Sequence, residues 1–331
     1  MRTQLRTALT ALIITATLPL HGQASQEPVQ PTQKLYARFT ATSSGPVLKN
    51  SVGFLTVSYQ EGDHIATIHG TAFFVLYEDK RLGENQGFVY LVTNRHMADP
   101  QSNGRSALVV GNSIRVNLKT PINGLQSIEM PIPLGPNLHW CFPSDAAVDL
   151  AVIGWAPDIK IVDFSPFPVS MFAARSAFDG MNITEGSGVL LTGFFYQFPG
   201  QKKIEPIVRQ GILAMLPDED MTTTLGKPGH VYLADVHVFG GNSGSPVFVN
   251  VKYPPQGVMW LGSFPYRLLG VVSGYFYETQ DFTLQVATTL SGKADANSGI
   301  SVVVPADELK KILDSPELQA QRDAEVARRA K

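Results

Sequence analysis

Gly240-Gly241-Asn242-Ser243-Gly244-Ser245-Pro246-Val247-Phe248 sets a serine in a glycine-rich turn and runs straight into an apolar strand. The glycines let the backbone turn tightly and aim several N–H groups at one point. A serine hydroxyl is a weak nucleophile at neutral pH, so it needs a neighbouring base, and the base needs an orienting group. Two other segments supply those residue types. Leu91-Val92-Thr93-Asn94-Arg95-His96-Met97-Ala98-Asp99 places His96 directly after an apolar strand. Val148-Asp149-Leu150-Ala151-Val152 places Asp149 at the head of another, where a carboxylate stays ionised only if it is paired. The chain order is His96, Asp149, Ser243, at intervals of 53 and 94 residues.

Outward from these segments the pattern is one of short strands. Runs rich in Val, Ile, Leu, Phe, Tyr and Thr recur between Gly, Pro, Asn and Asp. They include Gly53–Tyr59, Ala66–Tyr77, Gly87–Thr93, Ala107–Leu118, Leu150–Trp155, Gly188–Tyr196, Val208–Leu216, Val231–Phe239, Leu268–Phe276, Thr283–Thr288 and Ile300–Val304. About a dozen such runs with almost no helical periodicity predict antiparallel barrels or sandwiches. An α/β-hydrolase fits poorly: its Gly-x-Ser-x-Gly elbow is out of register by one place, and helices between strands are missing before residue 305. The convincing helix starts at Pro305-Ala306-Asp307-Glu308-Leu309-Lys310-Lys311-Ile312-Leu313, with acids in its first turn and apolar residues at i, i+3, i+4. Pro316 is expected to interrupt it, leaving Glu317–Lys331 as a charged, solvated helical tail.

The three segments together resemble the trypsin/chymotrypsin-fold serine proteases, closest to the bacterial branch of glutamyl endopeptidases and HtrA-type protease domains. Gly70–Val75, Glu185–Gly193, Arg209–Leu213, Gly270–Gly274 and Gly299–Pro305 resemble further strands of that family. The likeness spans about residues 50–314. It implies an all-β fold of two six-stranded antiparallel β-barrels with a C-terminal helix, the first over about 49–165 and the second over about 180–304. It implies His96, Asp149 and Ser243 as catalytic residues, the Gly241 and Ser243 N–H groups as the oxyanion hole, and Ser273 as a hydrogen-bond partner of Asp149. The expected function is a serine endopeptidase acting through an acyl-enzyme on a polypeptide substrate, with no cofactor. A catalytically silent peptide-binding module and an esterase using the same triad are the alternatives.

The pocket departs from the family. Where glutamyl endopeptidases carry a histidine in the pocket strand, this chain has Val272, so specificity for glutamate is not supported. Tyr275, after Gly274, stands where a bulky residue narrows the pocket mouth, and His237, six residues before Ser243, is a candidate for its base. The pocket candidates are therefore His237, Val272, Ser273, Gly274 and Tyr275, with small or medium apolar side chains as expected substrates. Asn242 replaces the aspartate that pairs with a new N-terminus in trypsin-like zymogens, so activation by that ion pair is not expected. A PDZ-like segment is not seen after residue 314, and the oligomeric state is left open.

Composition narrows the remaining classes. The chain has 331 residues, 44% hydrophobic and 16% charged, with 29 Gly and 23 Pro. That length supports a substantial core, and disorder over most of it is excluded. With 26 basic against 28 acidic residues and no basic run, nothing favours nucleic acid as a partner. Residues 1–24 have the form of a secretory signal peptide. Arg2 and Arg6 precede an apolar run from Ala8 to Leu20, too short for a membrane span, and small residues follow at Gly22 and Ala24. A secreted or periplasmic protein with a net charge of −4 is expected after cleavage, with no membrane span, preceded by a polar lead-in or propeptide over 25–48. Its single cysteine, Cys141, excludes an intramolecular disulfide and reads as a bystander. Metal sites read weakly: Asp63, His64 and His69 fit no established zinc spacing, and Asp218-Glu219-Asp220 reads as a solvated turn.

Overall fold

A computed structural model of the protein describes residues 36–38, 48–84, 86–104, 107–136, 138–251, 265–285 and 289–329. The predicted signal peptide and most of the polar lead-in lie outside the described residues. Among the described residues no helix is long and apolar enough to cross a membrane.

The first sheet is built from β1 (Tyr36–Arg38), β2 (Val52–Glu61), β3 (His64–Glu78), β4 (Gln86–Thr93), β5 (Leu108–Ile122), β6 (Leu125–Pro131), β7 (Ala151–Ile153) and β8 (Phe167–Pro168). Its order is β1-β4-β3-β2-β5-β6, with β7 on β4 and β8 on β3. Alternation along the strands rolls it around one interior. Leu55 and Val57, Phe74 and Leu76, Val89 and Leu91, Ile114 and Val116, and Ala151 and Ile153 all point into it. The opposite faces of β3 and β4 are buried as well. Phe73, Val75, Phe88, Tyr90 and Val92 pack with Phe248, Leu268, Val271 and Val304 from later in the chain. Burial on both faces explains why 72–76 and 88–92 read as continuous apolar runs.

The second sheet is a closed six-stranded barrel in the order β10-β13-β16-β15-β14-β9. Its strands are β9 (Gly188–Gly193), β10 (Ile207–Met215), β13 (Tyr232–Asp235), β14 (Pro246–Asn250), β15 (Tyr266–Gln285) and β16 (Thr289–Pro305); the two-residue strands β11 (Met221–Thr222) and β12 (Pro228–Gly229) pair apart from it. Val189, Leu191, Leu213, Ala234, Val247, Val249, Leu269 and Val303 fill the interior.

Among the described residues four α-helices complete the fold: α1 (Arg95–Ala98), α2 (Phe178–Met181), α3 (Ala306–Leu313) and α4 (Pro316–Arg329). The architecture is all-β, an eight-stranded sheet and a closed six-stranded barrel followed by C-terminal helices, with three departures from the expected fold. The first sheet carries eight strands where six were expected and, among the described residues, is not closed into a barrel; β8 pairs parallel to β3. Residues 283–285 are no separate strand; they continue β15 into a long ribbon paired with β16. The tail does not lie free in solvent. Pro316 opens α4, a position where its missing N–H costs nothing, and Leu318 and Arg322 are fully buried.

Candidate active site

His96 sits in the single turn of α1, held at the end of β4. The Met97 and Ala98 N–H groups both donate to the Asn94 carbonyl, and Met97 and Ala98 pack into the first interior. This anchors the turn and leaves the His96 ring 15% exposed. Its Nδ1 lies 2.7 Å from Asp149 Oδ2, and its backbone N–H donates to Asp149 Oδ1 at 3.0 Å.

Asp149 is 1% exposed and surrounded by donors. Besides the two bonds from His96, Ser273 Oγ donates to Oδ2 at 2.5 Å, and Thr224 Oγ1 closely contacts Ser273 Oγ in turn. The backbone at Asp149 is fixed by Asn94 Nδ2, which donates to its carbonyl at 2.9 Å. Burial alone pushes the carboxyl upward; the His96 charge and these hydrogen bonds outweigh it and hold Asp149 below the usual carboxylate range. An ionised Asp149 can only accept, so Nδ1 of His96 is the donor in their bond, and in a neutral ring Nε2 is the nitrogen that can take a proton.

The Ser243 turn is locked by its neighbours. Gly241 and Gly244 take φ of +94° and +82°. Buried Asn242 braces the turn from inside: Oδ1 accepts from the Phe239 N–H at 2.9 Å and Nδ2 donates to the Phe194 carbonyl at 2.9 Å. On one side Thr71 of β3 donates from its N–H to the Ser243 carbonyl at 2.9 Å and from its hydroxyl to the Gly241 carbonyl at 2.9 Å. Thr93, three residues before His96, donates to the Thr71 carbonyl at 2.9 Å. On the other side the Gly244 N–H donates to the Val272 carbonyl at 3.0 Å, and Val272 precedes the Ser273 that binds Asp149. A Cβ at Gly70 would stand 2.8 Å from Met97 Cε and 3.1 Å from the Ser243 carbonyl, so the His96 turn and the Ser243 turn meet over one glycine.

Among the described residues the Ser243 hydroxyl makes no hydrogen bond, and the N–H groups of Gly241 and Ser243 donate none to the backbone. The ring nitrogen of a base and its nucleophile are often long-spaced before substrate arrives.

The pocket candidates are distributed unevenly. Val272 is buried in the second barrel's core, so its contribution beside Ser243 is its backbone. Gly274 is half-buried against Thr224, and the Tyr275 ring lies 4.9 Å from that of Tyr277. His237 is exposed, its Cε1 3.1 Å from where a Cβ on Gly299 would be. It is flanked by Val236 and Val238, whose carbonyls accept from Ser301 Oγ and Asn297 Nδ2 of β16. Asp63 and His64 lie at the β2–β3 turn, five residues along the strand from His69, which instead stacks on Phe54 at 5.2 Å. Cys141 is 5% exposed, and burial together with the Glu317 carboxylate pushes its thiol up to about 12, far from that of a reactive nucleophile.

Thr71, Thr93, Asn94 and Thr224 carry no signal in the sequence. Each acts through a single hydroxyl or amide on a backbone or side chain up to 170 residues away, and nothing local marks such a partner.

Neither a protein-family model nor a curated protein matches the chain. Solved structures do match. Deg5 aligns at 15% identity with a TM-score of 0.43, covering 80% of this chain and 87% of that one. The MamO protease domain from Magnetospirillum magneticum aligns at 14% and 0.41, covering 81% and 98%. The HtrA-type protease AlgW, solved with a decapeptide, aligns at 16% and 0.42, covering 80% and 65%.

Proposed function

We propose that the protein is a serine endopeptidase. The observation that supports this reading is the chain of hydrogen bonds Thr224–Ser273–Asp149–His96, ending in a turn that meets the locked Ser243 turn over Gly70. In the proposed reaction Ser243 Oγ attacks the scissile carbonyl while His96 Nε2 takes its proton. The N–H groups of Gly241 and Ser243 receive the oxyanion; one such donor is worth about 10²–10³ in turnover. His96 then protonates the leaving amine, and the acyl-enzyme on Ser243 is hydrolysed by water activated through the same nitrogen. Ionised Asp149 stabilises the imidazolium at each step. No cofactor enters this chemistry.

The substrate is an extended polypeptide, with small or medium apolar side chains entering between His237, Gly274 and Tyr275. The site of action is outside the cytoplasm, after removal of residues 1–24.

Fluorophosphonate labelling of the mature chain tests the nucleophile. Labelling is expected in wild type and absent in Ser243→Ala; equal labelling of both would overturn the assignment. No labelling of the folded wild type would favour a silent peptide-binding module. Cleavage of a peptide library beside simple esters separates peptidase from esterase, and dominance of acidic or basic P1 residues would refute the apolar preference.

A further inference from the structure

Far along the chain from the site's own residues, Glu317 in the first turn of α4 meets His139 and Cys141. His139 Nε2 lies 2.8 Å from Glu317 Oε1, and Cys141 Sγ donates to the same oxygen at 3.5 Å. One imidazole nitrogen, one sulfur and one carboxylate oxygen lie within 4.8 Å of one another, the one such group of three among the described residues. We propose that these three side chains form a zinc site that clamps α4 to the first β unit.

The donor set is the first argument. Nitrogen, thiolate sulfur and carboxylate oxygen together suit Zn²⁺, which takes such ligands at about 2.0–2.3 Å in a tetrahedron, so ligand atoms stand roughly 3.3–3.6 Å apart. The Sγ–Oε1 pair at 3.5 Å already has that spacing; the 2.8 Å Nε2–Oε1 pair must open by about 0.5 Å, and nitrogen and sulfur, within 4.8 Å, must close by at most about 1.3 Å. Thiolate and carboxylate carry two negative charges, which a divalent ion neutralises. Three protein ligands leave the fourth position to water.

The backbone is the second argument. His139 and Cys141 flank Trp140; Trp140 packs into the first interior, Cys141 into the cluster on the other side, and both flanking side chains reach Glu317. Cys141 is bonded to Val152 in both directions, N–H to carbonyl at 2.7 and 3.0 Å. Glu317 is held by the helix that buried Leu318 and Arg322 dock. The side chains of His139 and Glu317 are about half exposed, so the ion enters from solvent and both can adjust around it. Hydrated zinc exchanges all but one of its bound waters, which leave to solvent, for one bond each to sulfur, nitrogen and oxygen. The Cys141 thiol proton goes to solvent, and neutral His139 binds through Nε2 with its proton on Nδ1.

The test uses the reduced mature chain, stripped with a chelator and titrated with Co²⁺ as a spectroscopic stand-in. Wild type is expected to develop a thiolate-to-cobalt charge-transfer band, to lose it on adding Zn²⁺, and to melt at a higher temperature with Zn²⁺ than without. Cys141→Ser is expected to lose the band. Glu317→Gln and His139→Asn, both at half-exposed positions, should keep the fold and weaken Co²⁺ binding at least tenfold. Absence of the band in folded wild type, its persistence in Cys141→Ser, or unchanged affinity in both exposed-site variants would overturn the proposal.

Discussion

Asp149 shows how one residue's environment divides into opposing effects. Enclosure disfavours its charge, and three donated hydrogen bonds plus His96 restore it. With a folded-state pKa below the unfolded one, the carboxylate contributes stability above about 3.9, and the contribution disappears as acid protonates the folded state. Urea denaturation from about pH 7 to about pH 3 should therefore show wild type losing stability more steeply than Asp149→Asn; parallel curves would contradict this. Ser273 donates to Asp149 in the same network, and in the proposed reaction it positions that carboxylate. Ser273→Ala removes one charge-assisted bond and is expected to lower kcat about tenfold with KM little changed, measured on a cleaved peptide. Gly244 is constrained twice. A Cβ there would stand 2.1 Å from the Thr71 carbonyl oxygen, at a φ that L residues rarely adopt. Gly244→Ala should abolish fluorophosphonate labelling while circular dichroism still reports a folded chain; retained labelling would show that the turn tolerates displacement.

At the scale of elements, α4 and the β15–β16 ribbon hold opposite relations to the rest of the protein. The helix is fastened by a buried arginine. Arg322 Nη1 donates to Tyr90 Oη at 2.9 Å and to the Leu313 carbonyl at 2.8 Å, and its guanidinium lies 4.0 Å over the Tyr77 ring. Arg322→Ala leaves a cavity and an unpaired carbonyl, expected to cost about 2–4 kcal/mol in urea denaturation. Arg322→Met, which keeps the apolar stem, should recover at least half of that. Beyond Tyr277 and Asn297, in contrast, β15 and β16 pair only with each other among the described residues. Replacing 279–295 by a short turn is expected to leave the melting temperature within about 4 °C of wild type. A larger fall would mean that the ribbon supports the barrel.

The whole molecule joins its two β units by reciprocal polar contacts as well as by apolar packing. Arg115 of β5 donates to the Gly200 and Gln201 carbonyls at 2.6 Å each. Asn117 donates to the Ile204 carbonyl at 3.1 Å and accepts from the Ile204 N–H at 2.8 Å. These bonds seat the 200–204 segment on the first sheet, while Thr71 seats the Ser243 turn. Asn117→Ala strands two backbone groups at this junction. It should cost about 1–3 kcal/mol and reduce peptide cleavage more than the loss of folded protein explains, because the proposed base and nucleophile come from opposite units. Cleavage that falls only in proportion to unfolding would show that the junction is not coupled to the site.

What the sequence determined by itself was local. Short runs rich in β-branched and aromatic residues, set between Gly, Pro, Asn and Asp, specified strands in both units, because such side chains pack on a pleated surface and turn residues break it. The three motifs singled out Ser243, His96 and Asp149 as a candidate nucleophile, base and orienting carboxylate, because that chemistry is open to only a few residue types. The i, i+3, i+4 spacing over 305–313 specified α3. Burial of Arg322 was not legible, since a charge-rich tail has the composition of a solvated helix and only the tyrosines and carbonyl of other elements make an enclosed guanidinium tolerable. Thr71, Thr224 and the meeting of His139, Cys141 and Glu317 were likewise decided by tertiary structure alone: each depends on partners that the topology brings together across many tens of residues, and a hydrogen bond or a shared ligand field has no range along the chain, only in space.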